Sequence, residues 1–334
     1  MKSFKLQNKI IIVGVLISTI VIGYFVVTDK TKNIDRSRID DESFVYETEA
    51  DTIDECSTYE KFDSERKVCY FECADENDCA QILKDIDSEI DSWTDDTYTS
   101  AKTNEKQNKD LKDKAVAEYS VDTNEQISLK SGTSRTEDMQ IWKHISDISL
   151  DWFTDTYIET YQTFNDVNDD TLAFVDDEDN NGKWRVAVNV AGYNDSTARE
   201  RNLTIVHELG HIVTLNVDQL KQGDKSKCKN YFIDEGCANA NSYLNIFVNT
   251  FKNWEANYTI HNFVTEYAAT SVEEDVAESF AYFVIDSKIN NESSEVKDQK
   301  VNLFYQFPEL VQMREGMRQG IKSDIIRARK SGNI

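Results

Sequence analysis

The chain has 334 residues and a formal net charge of −25, with 62 acidic against 37 basic residues. That balance excludes nucleic acid as a partner, because phosphate backbones are held by excess Lys and Arg. It favours solubility and attraction to basic partners, and it suits a salty or calcium-rich medium.

In chain order, Lys2, Lys5 and Lys9 precede an uncharged run from Ile10 to Val27. As a helix this run would be about 27 Å long, enough to cross a bilayer core. A basic start predicts residues 1–9 inside, a signal-anchor over 10–27 and everything after it outside the cell. No A-x-A-like site follows Val27, so the anchor is read as uncleaved; the alternative is secretion after signal-peptide removal.

Residues 28–136 read as a polar stalk, a cysteine-bearing segment and a linker. The segment from Cys56 to about Trp93 holds Cys56, Cys69, Cys73 and Cys79, with a helix expected around Cys79 to Ile90. An even cysteine count outside the cytoplasm predicts disulfides, and four cysteines allow three pairings. A four-thiolate zinc site is the alternative, but paired C-x-x-C knuckles are missing. The stretch from Thr94 to Thr136 is polar, with a charged helix expected near Lys109–Tyr119.

Residues 137–334 are long enough for one substantial core. Met139, Trp142, Ile145, Ile148 and Trp152 form a helical stripe and are read as core. Two strands follow, Thr171–Val175 and Trp184–Val190. In the second, Trp184, Val186, Val188 and Val190 alternate with Arg185, Ala187 and Asn189. Between them, Asp177-Glu178-Asp179-Asn180-Asn181-Gly182 resembles the first half of a calcium loop. Position twelve is Val188 rather than glutamate, so a polar hairpin turn is the better reading and Ca2+ the weaker one.

The most informative residues are His207-Glu208-Leu209-Gly210-His211, an H-E-x-x-H pattern. On a helix, positions i and i+4 share a face, so both imidazoles reach one Zn2+. Glu208 then lies beside the metal, where it can take a proton from water. Thr197-x-x-Glu200 is a capping box that would start this helix. Gly210 leaves room for a close neighbour. Downstream, Cys228 and Cys237 form a local pair that would close a small loop.

A catalytic zinc takes a third protein ligand. In Ser271 to Phe283, Val276, Phe280 and Phe283 mark an apolar stripe, while Glu274 and Glu278 sit four apart on one face. Glu274 is the candidate ligand, and Glu278 the candidate partner orienting a ligand imidazole. Ser271-x-x-Glu274 is also a capping box; taken alone the two readings are equal, and H-E-x-x-H upstream favours ligation. Pro308 begins a last helix to about Ala328, with Leu310, Met313, Met317 and Ile321 as core. His144 and His261 have no ligand-like companions.

H-E-x-x-H followed by a helix with a glutamate ligand resembles the gluzincin pattern of zinc metallopeptidases. Tyr267-Ala268-Ala269-Thr270 leading into Glu274-x-x-Ala277-Glu278 is similar to the catalytic domain of anthrax lethal factor. Thr214-Leu215-Asn216, Gly236-Cys237-Ala238 and Ser242-Tyr243-Leu244 resemble a broad set of uncharacterised bacterial zinc-binding metallopeptidases. The resemblance runs from about Glu137 to the C-terminus. It implies an α+β, mostly helical zincin-like domain with a small edge-strand sheet, one strand of which borders the cleft and pairs with extended substrate. It implies one Zn2+ on His207, His211 and Glu274, with Glu208 as general base and Tyr267 stabilising the oxyanion. The expected activity is hydrolysis of peptide bonds in protein or peptide substrates by a membrane-anchored extracellular enzyme. The alternative is a non-catalytic cell-surface binding protein on the same scaffold; the intact Glu208 speaks against it. Oligomeric state is not readable from these features.

Overall fold

The computed structural model describes strands and turns within 44–49, 61–65 and 67–73, a helical segment over 76–93, and most of 114–331. Within that last stretch, 170, 178–180, 222, 224–225, 227, 233–235, 252–258 and 287–291 lie outside the described residues. So do the expected anchor at 10–27, most of the stalk, and the side chains of Cys56, Cys69, Cys73 and Cys79. Among the described residues no helix is long and apolar enough to cross a membrane.

The fold is α+β. Its centre is a five-stranded mixed sheet of β4 (Ala115–Val121), β5 (Ile127–Gly132), β6 (Ile158–Phe164), β7 (Ala173–Asp176) and β8 (Trp184–Asn189). The spatial order is β5-β4-β6-β8-β7; β6 and β8 run parallel and the other neighbours antiparallel. An N-terminal sheet joins β1 (Phe44–Glu49), β3 (Val68–Cys73) and β2 (Lys61–Asp63) in that order.

Three sequence expectations change here. Of the charged helix expected near Lys109–Tyr119, residues 109–113 lie outside the described residues and 115–119 belong to strand β4, whose Ala117 and Tyr119 are buried. Alternation in Ala115–Val121 is short and masked by charged neighbours, and pairing on both sides decides the outcome. The sheet therefore draws on residues before Glu137, and it is larger than the small edge sheet expected. The strand at Trp184 does alternate, with Trp184, Val186 and Val188 in the main core and Ala187 on the opposite face with Phe164 and Phe174. It lies between β6 and β7, however, so it cannot pair with a substrate. The sheet edge on that side belongs to β7.

Helix α1 (Glu76–Ser92) joins the same core through Ile86 and Ile90, with Trp93 just beyond it. Arg318 and Lys322 bind its Asp87 and Asp91, and Arg199 donates to the Trp93 carbonyl. Helix α2 (Thr136–Ser149) buries Trp142, Ile145 and Ile148, but Met139 and Trp152 are 37% and 45% exposed. The stripe breaks at Trp152 because Leu150 has φ +69° and redirects the chain into α3 (Asp151–Tyr157), while Met139 lies off the buried face of α2.

Among the described residues, six α-helices make up most of the remainder of the domain. Short α4 (Val190–Asp195) leads into α5 (Ala198–Leu215), which carries H-E-x-x-H. Then come three short strands, β9 (Leu220–Lys221), β10 (Tyr231–Phe232) and β11 (Gly236–Ala238), and α6 (Tyr243–Thr250). A disulfide joins Cys228 to Cys237. Helices α7 (Val272–Ile285), α8 (Val296–Leu303) and α9 (Pro308–Ser331) close the fold. Pro308 opens α9 as expected, and Leu310, Met313, Met317 and Ile321 are buried. A Cβ on Gly320 would meet the Asp147 carbonyl oxygen at 2.1 Å, so glycine lets α9 lie against α2.

Candidate metal centre

Helix α5 starts as its sequence predicts. Thr197 accepts from the Glu200 N–H, and the Glu200 carboxylate accepts from the Thr197 N–H at 2.8 Å. The helix then passes through the core, burying Leu203, Val206, Leu209, Ile212 and Val213. It packs on α7 at Gly210, where a Cβ would stand 3.1 Å from Phe280 and 3.3 Å from the Ala277 carbonyl. That approach brings the carboxylates of α7 to the imidazoles of α5.

His207 Nε2 and His211 Nε2 lie 3.0 Å apart. Glu274 Oε2 lies 3.2 Å from the first and 3.3 Å from the second. A tetrahedral zinc with bonds of about 2.0–2.1 Å requires its donors to stand about 3.3 Å from one another. The three atoms meet that spacing. Glu274 Oε2 is also buried without a hydrogen-bond donor, as a ligand oxygen would be. Among the described residues this is the only His/Cys/Asp/Glu group that could hold a metal ion.

The two readings of Glu274 are compatible. Ser271 caps α7 by accepting from the Glu274 backbone N–H at 3.2 Å, which leaves the Glu274 carboxylate for the imidazoles. Glu278, one turn on, places Oε1 2.7 Å from His207 Nδ1. A carboxylate there fixes the ring's orientation and leaves Nε2 as the free donor.

Tyr267 sits in the turn Tyr267–Ala269 ahead of α7 and donates its hydroxyl to Glu274 Oε1 at 2.9 Å. Its ring centroid is 5.8 Å from that of His207. Glu208 is 5% exposed. Burial pushes its carboxyl up to about 7, against the pull of both imidazoles and a hydrogen bond from the Val175 N–H of edge strand β7. Burial also raises Glu274, but the two imidazoles outweigh it and hold that carboxyl well below the usual range. Burial lowers His207, while Glu274 and Glu278 more than reverse this. The site thus separates two acids on chemical grounds: Glu274 stays ionised, and Glu208 can exchange a proton near neutral pH.

Other sequence candidates lie apart from this centre. His144 is buried among Tyr193, Asn202 and Asp324. His261 is exposed beside Glu295. In the turn before β8, Asp177 accepts from the backbone N–H groups of Asn181 and Gly182, and Gly182 has φ +81°, as a polar hairpin turn requires. Glu178, Asp179 and Asn180 of the calcium-loop reading fall outside the described residues.

Three contributors escape sequence reasoning: the Val175 N–H, Thr265, and the buried pair Asp275–Lys300. Thr265 Oγ1 donates to Glu278 Oε2 at 2.7 Å. Lys300 Nζ donates to Asp275 Oδ2 at 2.6 Å and to the Asn262 carbonyl at 2.7 Å, and it lies 3.9 Å from the Phe263 ring centroid. Only the last, through Asp275, had a usable signal. Glu273-Glu274-Asp275 puts three acids in a row on an otherwise apolar helix, and they cannot all face water.

No family model and no curated protein matches the chain. A solved structure described as "a putative zinc-binding metallo-peptidase from Bacteroides caccae ATCC 43185" is similar at 18% identity and a TM-score of 0.33. The likeness covers 56% of this chain and 77% of that one.

Proposed function

We propose that this chain is a zinc-dependent peptidase that hydrolyses peptide bonds by attack of water. The observation that carries the reading is the triangle of His207 Nε2, His211 Nε2 and Glu274 Oε2 at 3.0–3.3 Å, with buried Glu208 beside it. Bound zinc would supply Lewis acidity, acidifying water and polarising a peptide carbonyl. Glu208 takes the proton from the attacking water and returns it to the leaving amine, which a carboxyl poised near neutral pH can do. The Tyr267 hydroxyl, which rests on Glu274 Oε1, would turn its one proton from that carboxylate to the oxygen on which negative charge develops. Glu278 keeps His207 oriented. An extended substrate would run along the edge of β7, the outermost strand beside β8. The apolar run at 10–27 would anchor the enzyme with this domain outside the cell.

The test begins with the metal, which needs no guess at substrate. The purified full chain should carry about one zinc, and His211→Ala should abolish stoichiometric zinc at equal protein purity. A folded wild-type chain that binds no zinc under metal-replete conditions would end the peptidase reading. Tyr267→Phe should keep zinc and lower kcat roughly 100-fold, the size of losing one oxyanion donor. An unchanged kcat in that variant would remove Tyr267 from the chemistry.

A further inference from the structure

Glu278 holds His207, and the structure also shows what holds Glu278. Its two oxygens face different partners: Oε1 stands at His207 Nδ1, and Oε2 accepts from the Thr265 hydroxyl at 2.7 Å. Thr265 is 3% exposed and Glu278 1%, so water does not compete for either group. The same hydroxyl oxygen accepts the Ala268 backbone N–H at 3.0 Å. That N–H belongs to the turn that presents Tyr267, whose carbonyl is in turn held by the Thr270 hydroxyl at 2.7 Å. The loop carrying Thr265 is fixed from outside as well, because Lys300 grips the Asn262 carbonyl and the Lys297 N–H donates to the His261 carbonyl at 3.1 Å.

A hydroxyl has one proton to give and lone pairs to receive with. Here the proton goes to the carboxylate that orients a metal-binding imidazole, and a lone pair anchors the turn of the tyrosine. We propose that Thr265 is a positioning residue that sets both His207, through Glu278, and Tyr267, through the Ala268 N–H. The proposal rests on the zinc reading above and goes beyond it: one buried side chain makes metal affinity and the placement of Tyr267 depend on each other. Thr265 does not touch the metal or the reacting atoms. Without its hydroxyl, Glu278 Oε2 and the Ala268 N–H are both left bare in a dry site, and both neighbours shift to find partners.

The experiment measures zinc affinity of the full chain by competition with a chelating dye, for wild type, Thr265→Val, Thr265→Ser and Glu278→Gln. Removing the partner of a ligand histidine typically weakens metal binding 10- to 100-fold. Thr265→Val, one step further out, should weaken it about tenfold, and Thr265→Ser, which keeps the hydroxyl, should restore it to within about twofold. In the Glu278→Gln background the valine substitution should have much less effect, since the carboxylate it acts through is gone. If Thr265→Val does not fold, Thr265→Ala carries the same expectation. Wild-type affinity in a folded hydroxyl-less variant would overturn the proposal. So would an equal loss in both backgrounds, which marks a merely structural role. Failure of the wild-type chain to bind zinc would instead overturn the peptidase reading.

Discussion

Glu208→Gln is expected to lower kcat about a thousandfold while the chain keeps its zinc, since general acid–base groups contribute roughly 10²–10⁴ in rate. Glutamine has nearly the shape of glutamate, so the buried space stays filled. Its amide oxygen can still accept a hydrogen bond where the carboxylate did, so the packing around position 208 is largely kept. What is lost is basicity. A carboxyl pushed to about 7 by burial can hold and release a proton at neutral pH, and an amide cannot. Zinc should remain because Glu208 is not one of the three converging donors. The measurement is kcat on a denatured protein substrate alongside zinc content by elemental analysis, for both chains. Undiminished turnover in Glu208→Gln would remove Glu208 as general base. Loss of zinc together with activity would show that Glu208 supports the metal, not the proton transfer.

The parts of the candidate site that were legible in the sequence are those carried by a local pattern. Histidines at i and i+4 on a helix share a face, so the convergence of His207 and His211 could be read from their spacing. Glu274 and Glu278 do so because carboxylates are costly beside an apolar stripe. The capping box at Thr197, the start of α9 at Pro308 and the polar turn before β8 are likewise local. The rest depends on partners distant in sequence. Whether a strand is at an edge or in the interior is a property of the whole sheet, and Trp184–Asn189 reads the same either way. Strand β5 is almost wholly exposed and exists because β4 pairs with it, so no hydrophobic pattern announces it. Helix α1 lies far from the site in sequence and still enters the main core. The stripe through Met139 and Trp152 assumed one continuous helix; the backbone reversal at Leu150 carries Trp152 into another helix, while Met139 lies off the buried face of α2 itself. Thr265 is a threonine in a polar loop, and nothing in its neighbours reveals a hydroxyl shared between a carboxylate and a turn.

Lys300→Met should be the most destabilising single change among the side chains around the site. Lys300 and Asp275 are 1% and 0% exposed and stand 2.6 Å apart. The second oxygen of Asp275 has no hydrogen-bond partner, so the ammonium is the main compensation for that charge. Removing one member of a buried pair strands the other, at a cost of about 3–5 kcal/mol. For a domain of this size that corresponds to a Tm drop of roughly 10 °C. Burial already raises the Asp275 carboxyl to about 7, even with the ammonium opposing it. Without Lys300 it rises further. A carboxyl whose folded pKa lies above its unfolded value favours the folded state below the unfolded value, and this contribution is lost as pH rises through the folded one. The deficit of Lys300→Met relative to wild type should therefore be large near pH 8 and shrink toward about pH 5, where Asp275 is protonated. Adding Asp275→Asn should recover much of the loss, because an amide beside a methionine leaves no stranded charge. Thermal melts in the presence of a chelator keep metal loss out of the comparison. A Tm drop of equal size at both pH values, or no recovery in the double variant, would mean that lost packing against Phe263 causes the effect, not a stranded charge.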